Sequence, residues 1–141
     1  MGQIMRKLFT ILIFSLCTVA LANPTTDVWA PVASSVCTQI NSALQAYRKG
    51  DIKQAQLTAI MAYFKGYDTD IEPAVRVTLG GPHVFAIEKQ FHDYSTLMTP
   101  NPNPQQLKKV ATAAAQLCQA VKSDANALSA AKVKRQVFNV E

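Results

Sequence analysis

Beyond position 22 this chain has no second apolar run long enough to cross a bilayer, which takes ~20 residues. It has no stretch of alternating β-branched residues to mark a strand. A C-x-x-C-H signature for covalently attached haem is absent. Ser34, Ser35 and Ser95 lie in no nucleophile elbow. No glycine-rich loop is available to cradle phosphate. The acids after Tyr67 lack the glycine and terminal glutamate of an EF-hand. Lys132, Lys134 and Arg135 cluster without an interleaved aromatic, at a place where cations favour a helix C-terminus. Nucleic acid is therefore not an expected partner. These absences leave a helical, non-enzymatic protein with no membrane span in its mature chain.

What is present begins with a secretory pattern. Arg6 and Lys7 form a positive n-region, the run from Leu8 to Ala22 is apolar, and Ala20-Leu21-Ala22 fits an A-x-A cleavage site. The run is short for an anchor, and Leu16 before Cys17 is too large for a lipoprotein site. Residues 1–22 are read as a signal peptide and 23–141 as one helical domain, periplasmic or secreted. Loss of Arg6 and Lys7 leaves twelve of the fourteen basic side chains against nine acidic ones, a mild net charge of +3.

Cys37 and Cys118 survive cleavage. An isolated pair in an oxidising compartment usually bonds, and neither has a second Cys or a His at metal-ligand spacing. A Cys37–Cys118 disulfide is expected. Closing so long a loop contributes ~4 kcal/mol, mainly by constraining the unfolded chain.

The periodicity predicts four long helices. The first spans Pro31–Lys49, with Trp29, Val32, Val36, Ile40, Ala43, Leu44 and Tyr47 on one face. Gly50 ends it. Asp51 caps the second, with Gln54 completing a capping box. Leu57, Ile60, Met61, Phe64 and Tyr67 form its expected apolar side, and it ends near Gly66. Thr69–Leu79 reads as a turn and a short helix capped by Asp70. The third long helix starts at Pro82 with Val84, Ile87, Phe91, Tyr94 and Met98 inward. Asn103 caps the fourth, whose seam is Leu107, Val110, Ala114, Leu117, Val121, Ala125 and Leu128. The expected fold is an all-α, antiparallel four-helix bundle with a short extra helix between helices two and three. The turn Tyr47-Arg-Lys-Gly50-Asp51 also resembles that of a tetratricopeptide hairpin, but no second copy follows.

Chemistry concentrates in one region. Glu88 and His92 are four apart and share a helix face, with Glu88 on the stripe of Val84 and Phe91. Asp68 and Glu72 end helix two and the turn after it. Together Asp68, Glu72, Glu88 and His92 are candidate metal ligands, since carboxylates and imidazole from neighbouring helices suit iron or a similar ion. The alternative is that the acids cap helices, Tyr63, Phe64 and Tyr67 are core, and His83 is a solvated first-turn residue.

The pattern Tyr47-x-x-Gly50-Asp51, Ala62-Tyr63-Phe64, Glu72 and Glu88-x-x-Phe91 resembles the extracytoplasmic helical segment of bacterial oxidase-dependent iron permeases. The resemblance spans Tyr47 to Phe91. Tyr67-Asp68 stands where that family has Phe-Glu, and Ile71-Glu72 where it has Leu-Glu. The permease's membrane helices and its Arg-Glu-x-x-Glu motif are absent here. The resemblance implies an exported accessory protein that binds a metal ion, iron above all, or assists an envelope iron-transport system through a transporter or other protein partner. A structural or partner-docking bundle without metal is the other reading.

Overall fold

The computed structural model describes residues 27–135; the expected signal peptide and the last six residues lie outside them. Among the described residues the fold is all-helical, without strands. The elements are α1 (Ala30–Arg48), α2 (Ile52–Met61), a π-helical segment (Ala62–Tyr67), the single turn α3 (Asp68–Asp70), α4 (Glu72–Thr78), α5 (Gly81–Thr96) and α6 (Pro104–Ala130). The segment α1 packs on both α2 and α6, and α5 packs on the same two helices. No described helix is long and apolar enough to cross a membrane.

The α1 stripe is buried as its spacing predicts, from Trp29 through Tyr47. Each large apolar side chain so buried contributes ~1.5–3 kcal/mol relative to exposure. The Asp27 carboxylate begins the helix by accepting from the N–H groups of Trp29 and Ala30 at 3.0 and 3.2 Å. The Ser129 hydroxyl also donates to it at 2.7 Å, and these bonds, Ser129's first, hold its pKa below the usual carboxylate value. Gly50 ends α1 at φ +82, the left-handed region that glycine enters without a Cβ penalty.

Asp51 caps α2 by accepting from the Gln54 N–H at 3.2 Å. Only half of the expected box forms, because the Gln54 side chain donates instead to Thr58. The larger difference is the face that α2 buries. Ala55, Ala59, Ala62 and Gly66 turn inward, whereas Leu57, Ile60 and Phe64 are 53, 41 and 55% exposed. Small side chains let α2 and α1 approach closely: a Cβ on Gly66 would sit 3.0 Å from Cγ2 of Val36. In the π turn the Asp68 N–H donates to the Tyr63 carbonyl, five residues back. This extra residue per turn rotates Tyr67 into the core and leaves Phe64 outside.

The expected Asp70 cap of the short helix is not formed: Ile71 stands at the N-cap of α4 without a side-chain bond, and Asp70 pairs with Arg135 at 2.8 Å. Val84, Ile87, Phe91, Tyr94 and Met98 are buried as predicted. Asn103 caps α6, accepting from the Gln106 N–H at 2.8 Å, with Pro104 in the first turn. The α6 seam is buried from Val110 to Leu128, with Leu107 half-buried at its start. The predicted Cys37–Cys118 disulfide joins α1 to α6 across a Cα–Cα distance of 5.1 Å. Side chains tie the ends together: the Trp29 indole N–H donates to the Val133 carbonyl at 2.7 Å, and the Tyr94 hydroxyl to that of Ile40 at 2.8 Å.

Candidate functional site

The π segment, α3, α4 and α5 carry the residues singled out by the sequence. Tyr63, in the π segment, donates its hydroxyl to Glu72 Oε2 at 2.9 Å. Arg76, one turn after Glu72, donates to its other oxygen at 2.6 Å and to Glu88 Oε1 at 3.4 Å. Glu72 is buried, so this pairing supplies the partners that a desolvated carboxylate requires. Burial first, then the Glu72 hydrogen bond, pushes the Tyr63 phenol above its ordinary pKa, and Asp68, Glu72 and Glu88 all add to that field. Arg76 is held more firmly protonated, chiefly by its bond to Glu72.

Three of the four candidate ligands thus lie around one phenol, but a guanidinium stands between two of them. Glu88 was expected to point inward. Its side chain is 34% exposed and bonds Arg76 rather than His92. His92 is exposed, and Asp68 is half-buried at the turn. Among the described residues no three His, Cys, Asp or Glu side chains come together at metal-binding spacing. Arg76 was missed by the sequence reading, although its i, i+4 relation to Glu72 is a legible signal.

Beside this cluster runs an open groove of about 530 Å³. Its apolar part is Ile60, Tyr63, Phe64 and Phe91; Gln56, Ser95 and Thr96 line the far end, and Glu88 and His92 stand on the α5 wall. The rings form a continuous set. Tyr63 meets Phe64 edge-on at 5.0 Å between centroids and Phe91 at 5.3 Å. Such pairs contribute ~0.5–1.5 kcal/mol beyond the area they bury.

A second polar cluster lies across the core from the groove's rim. Asp124 of α6 is 1% exposed, accepts from the Tyr67 hydroxyl at 2.7 Å and meets His83 Nε2 at 2.6 Å. His83 is therefore half of a polar pair rather than the purely solvated residue expected. The sequence signal for Asp124 was an acid one turn from Val121 and Leu128 on an otherwise apolar seam.

Comparison with protein-family models, curated proteins and solved structures found no match for this chain.

Proposed function

We propose that this chain is an exported, non-enzymatic accessory protein that docks a protein partner in an envelope iron-transport system. The observation carrying docking is the outward stripe that runs from α2 into the π segment. Leu57, Ile60 and Phe64 recur at helical spacing, which in a globular helix marks a buried face, yet all three are exposed. Beside them lies an aromatic-floored groove. A contiguous exposed apolar patch of this kind is a hallmark of an interaction surface. The transport setting rests on the residues shared with the iron permeases' extracytoplasmic segment, and periplasmic or secreted placement on the signal pattern and the disulfide. The cycle of contacts α1–α2–α5–α6 supports reading the scaffold as an antiparallel four-helix bundle.

The test is genetic. Deleting the gene in its host should reduce iron uptake, wild-type protein should restore it, and folded Phe64→Ser protein should not. Unchanged uptake in the deletion strain removes the iron setting. Full restoration by Phe64→Ser removes docking through the stripe.

A second reading, metal capture by Asp68, Glu72, Glu88 and His92, is favoured by the three carboxylates whose fields converge on Tyr63. An incoming ion must then displace Arg76. Calorimetric titration with ferrous and ferric ions decides it, since no heat at micromolar protein overturns the reading.

A further inference from the structure

The groove has a built-in polarity that narrows what can dock there. Among the described residues lining it, no lysine or arginine occurs, His92 supplies the one imidazole, and Glu88 is the one carboxylate. Its contact with Arg76 is long, 3.4 Å, because that guanidinium is committed to Glu72 at 2.6 Å. Its carboxylate is one-third exposed and keeps acceptor capacity toward the groove. The remaining lining is apolar, amide, hydroxyl or imidazole. The described residues offer no strand edge to which a peptide could add a strand. From Gln56 to Phe64 the groove wall formed by α2 and the π segment covers about two helical turns, ~12 Å at 1.5 Å per residue. That length suits a helix laid into a groove, read through anchors at i, i+3 or i+4, and i+7.

We propose that the groove receives an amphipathic helix of a partner protein that presents two apolar anchors and, one turn beyond them, a lysine or arginine to Glu88. This rests on the docking reading above and adds the partner's chemistry. The anchors cover Ile60, Tyr63, Phe64 and Phe91, and the cation meets a carboxylate already partly shielded from water, where its attraction exceeds that of a fully exposed pair. A partner with an acid at that position leaves Glu88 facing like charge.

The experiment uses the oxidised protein and three fluorescently labelled synthetic helical peptides. One has two leucine anchors and a lysine, the second glutamate for the lysine, the third serines for the leucines. Anisotropy titrations at low salt should show the lysine peptide binding roughly threefold to tenfold tighter than the glutamate peptide. Glu88→Gln should erase that difference, and Phe64→Ser should weaken both. Because Glu88 and Phe64 are not core residues, circular dichroism should show both variants folded. Equal binding of the lysine and glutamate peptides that still depends on Phe64 overturns the charge assignment and leaves docking intact. Leucine peptides that bind no better than the serine peptide, or bind independently of Phe64, overturn both. Sedimentation of the protein alone is the remaining arm: self-association abolished by Phe64→Ser makes a second copy the occupant and overturns the proposal, whereas a monomer supports it.

Discussion

The hydroxyl of Tyr67 donates a 2.7 Å hydrogen bond to the carboxylate of Asp124, tying the end of the π-helical segment to α6. Both side chains are almost fully buried, and Asp124 also meets His83. Tyr67→Phe removes one of the two partners of this buried carboxyl group and leaves His83 alone on its other oxygen. Tyr67→Phe should therefore destabilise the protein by about 1.5–3 kcal/mol in urea unfolding, the range for a bond to a charged group. Combined with Asp124→Asn, the two losses should fail to add, with a coupling of about 0.5–3 kcal/mol. Strict additivity means that the two groups do not act as one unit.

Tyr63, Tyr67 and Tyr94 each have a raised pKa, burial being the first cause in all three. The sign follows from linkage. A phenol whose pKa is raised by folding contributes fully below its unfolded value, near 10, and loses that contribution as pH rises toward the folded value. These three phenols should add no slope through neutral pH, and stability should fall above about pH 10. Phenolate absorbance of these residues should appear together with loss of helical dichroism. Their full ionisation in a still-folded protein contradicts the packing described.

Gly66 of the π segment packs against Val36 of α1, and a Cβ at Gly66 would lie 3.0 Å from Cγ2 of Val36. Val36 is buried and, being β-branched, stiff at χ1, so it has little room to yield. Gly66→Ala should cost about 1–2 kcal/mol by overpacking despite alanine's better helix propensity. Val36→Ala should cost less in the Gly66→Ala background than in the wild type, because it removes the methyl that the new Cβ meets, and the thermal midpoints of the four proteins measure this. A stabilised Gly66→Ala single variant contradicts the close approach.

Reduction of the Cys37–Cys118 bridge should lower the melting temperature, because the bond restrains a loop whose ends are 81 positions apart. The chain-entropy effect is about 4 kcal/mol, less any residual structure in the reduced chain. Thiol labelling of denatured, unreduced protein should leave both cysteines unmodified.

Where large apolar residues dominate a face, the sequence is a sufficient guide. Val36, Ile40 and Tyr47 in α1, Phe91 and Tyr94 in α5, and Leu117 and Val121 in α6 all lie where their spacing puts them. In α2 hydrophobicity favoured Leu57, Ile60 and Phe64, but closeness to α1 is decided by side-chain size, and Ala55, Ala59, Ala62 and Gly66 win. The π turn compounds the error, since a period of 3.6 cannot anticipate one extra residue per turn between Ala62 and Tyr67. In the candidate site the acids were legible one by one. Arg76 was legible as an i, i+4 partner of Glu72, but its reach to Glu88, twelve positions on, was not, because only the fold brings α5 beside α4.

That arrangement yields a test separating structural acids from metal-capturing ones. Arg76 holds buried Glu72 at 2.6 Å and reaches Glu88, while its own side chain is half exposed. Arg76→Gln leaves Glu72 only the Tyr63 hydroxyl, so urea unfolding should show a lower stability than wild type, the loss being reduced by solvent screening of the exposed guanidinium. The same change removes the one cation between the two carboxylates. If Asp68, Glu72, Glu88 and His92 can enclose an ion, Arg76→Gln protein should bind ferrous ion more tightly than wild type. Adding Glu88→Gln should cancel the gain, and acid should release the ion because its ligands must be deprotonated. If calorimetry finds no ferrous binding in either wild type or Arg76→Gln, the metal-capture reading falls, and the acids serve the fold with Arg76 as their counter-ion.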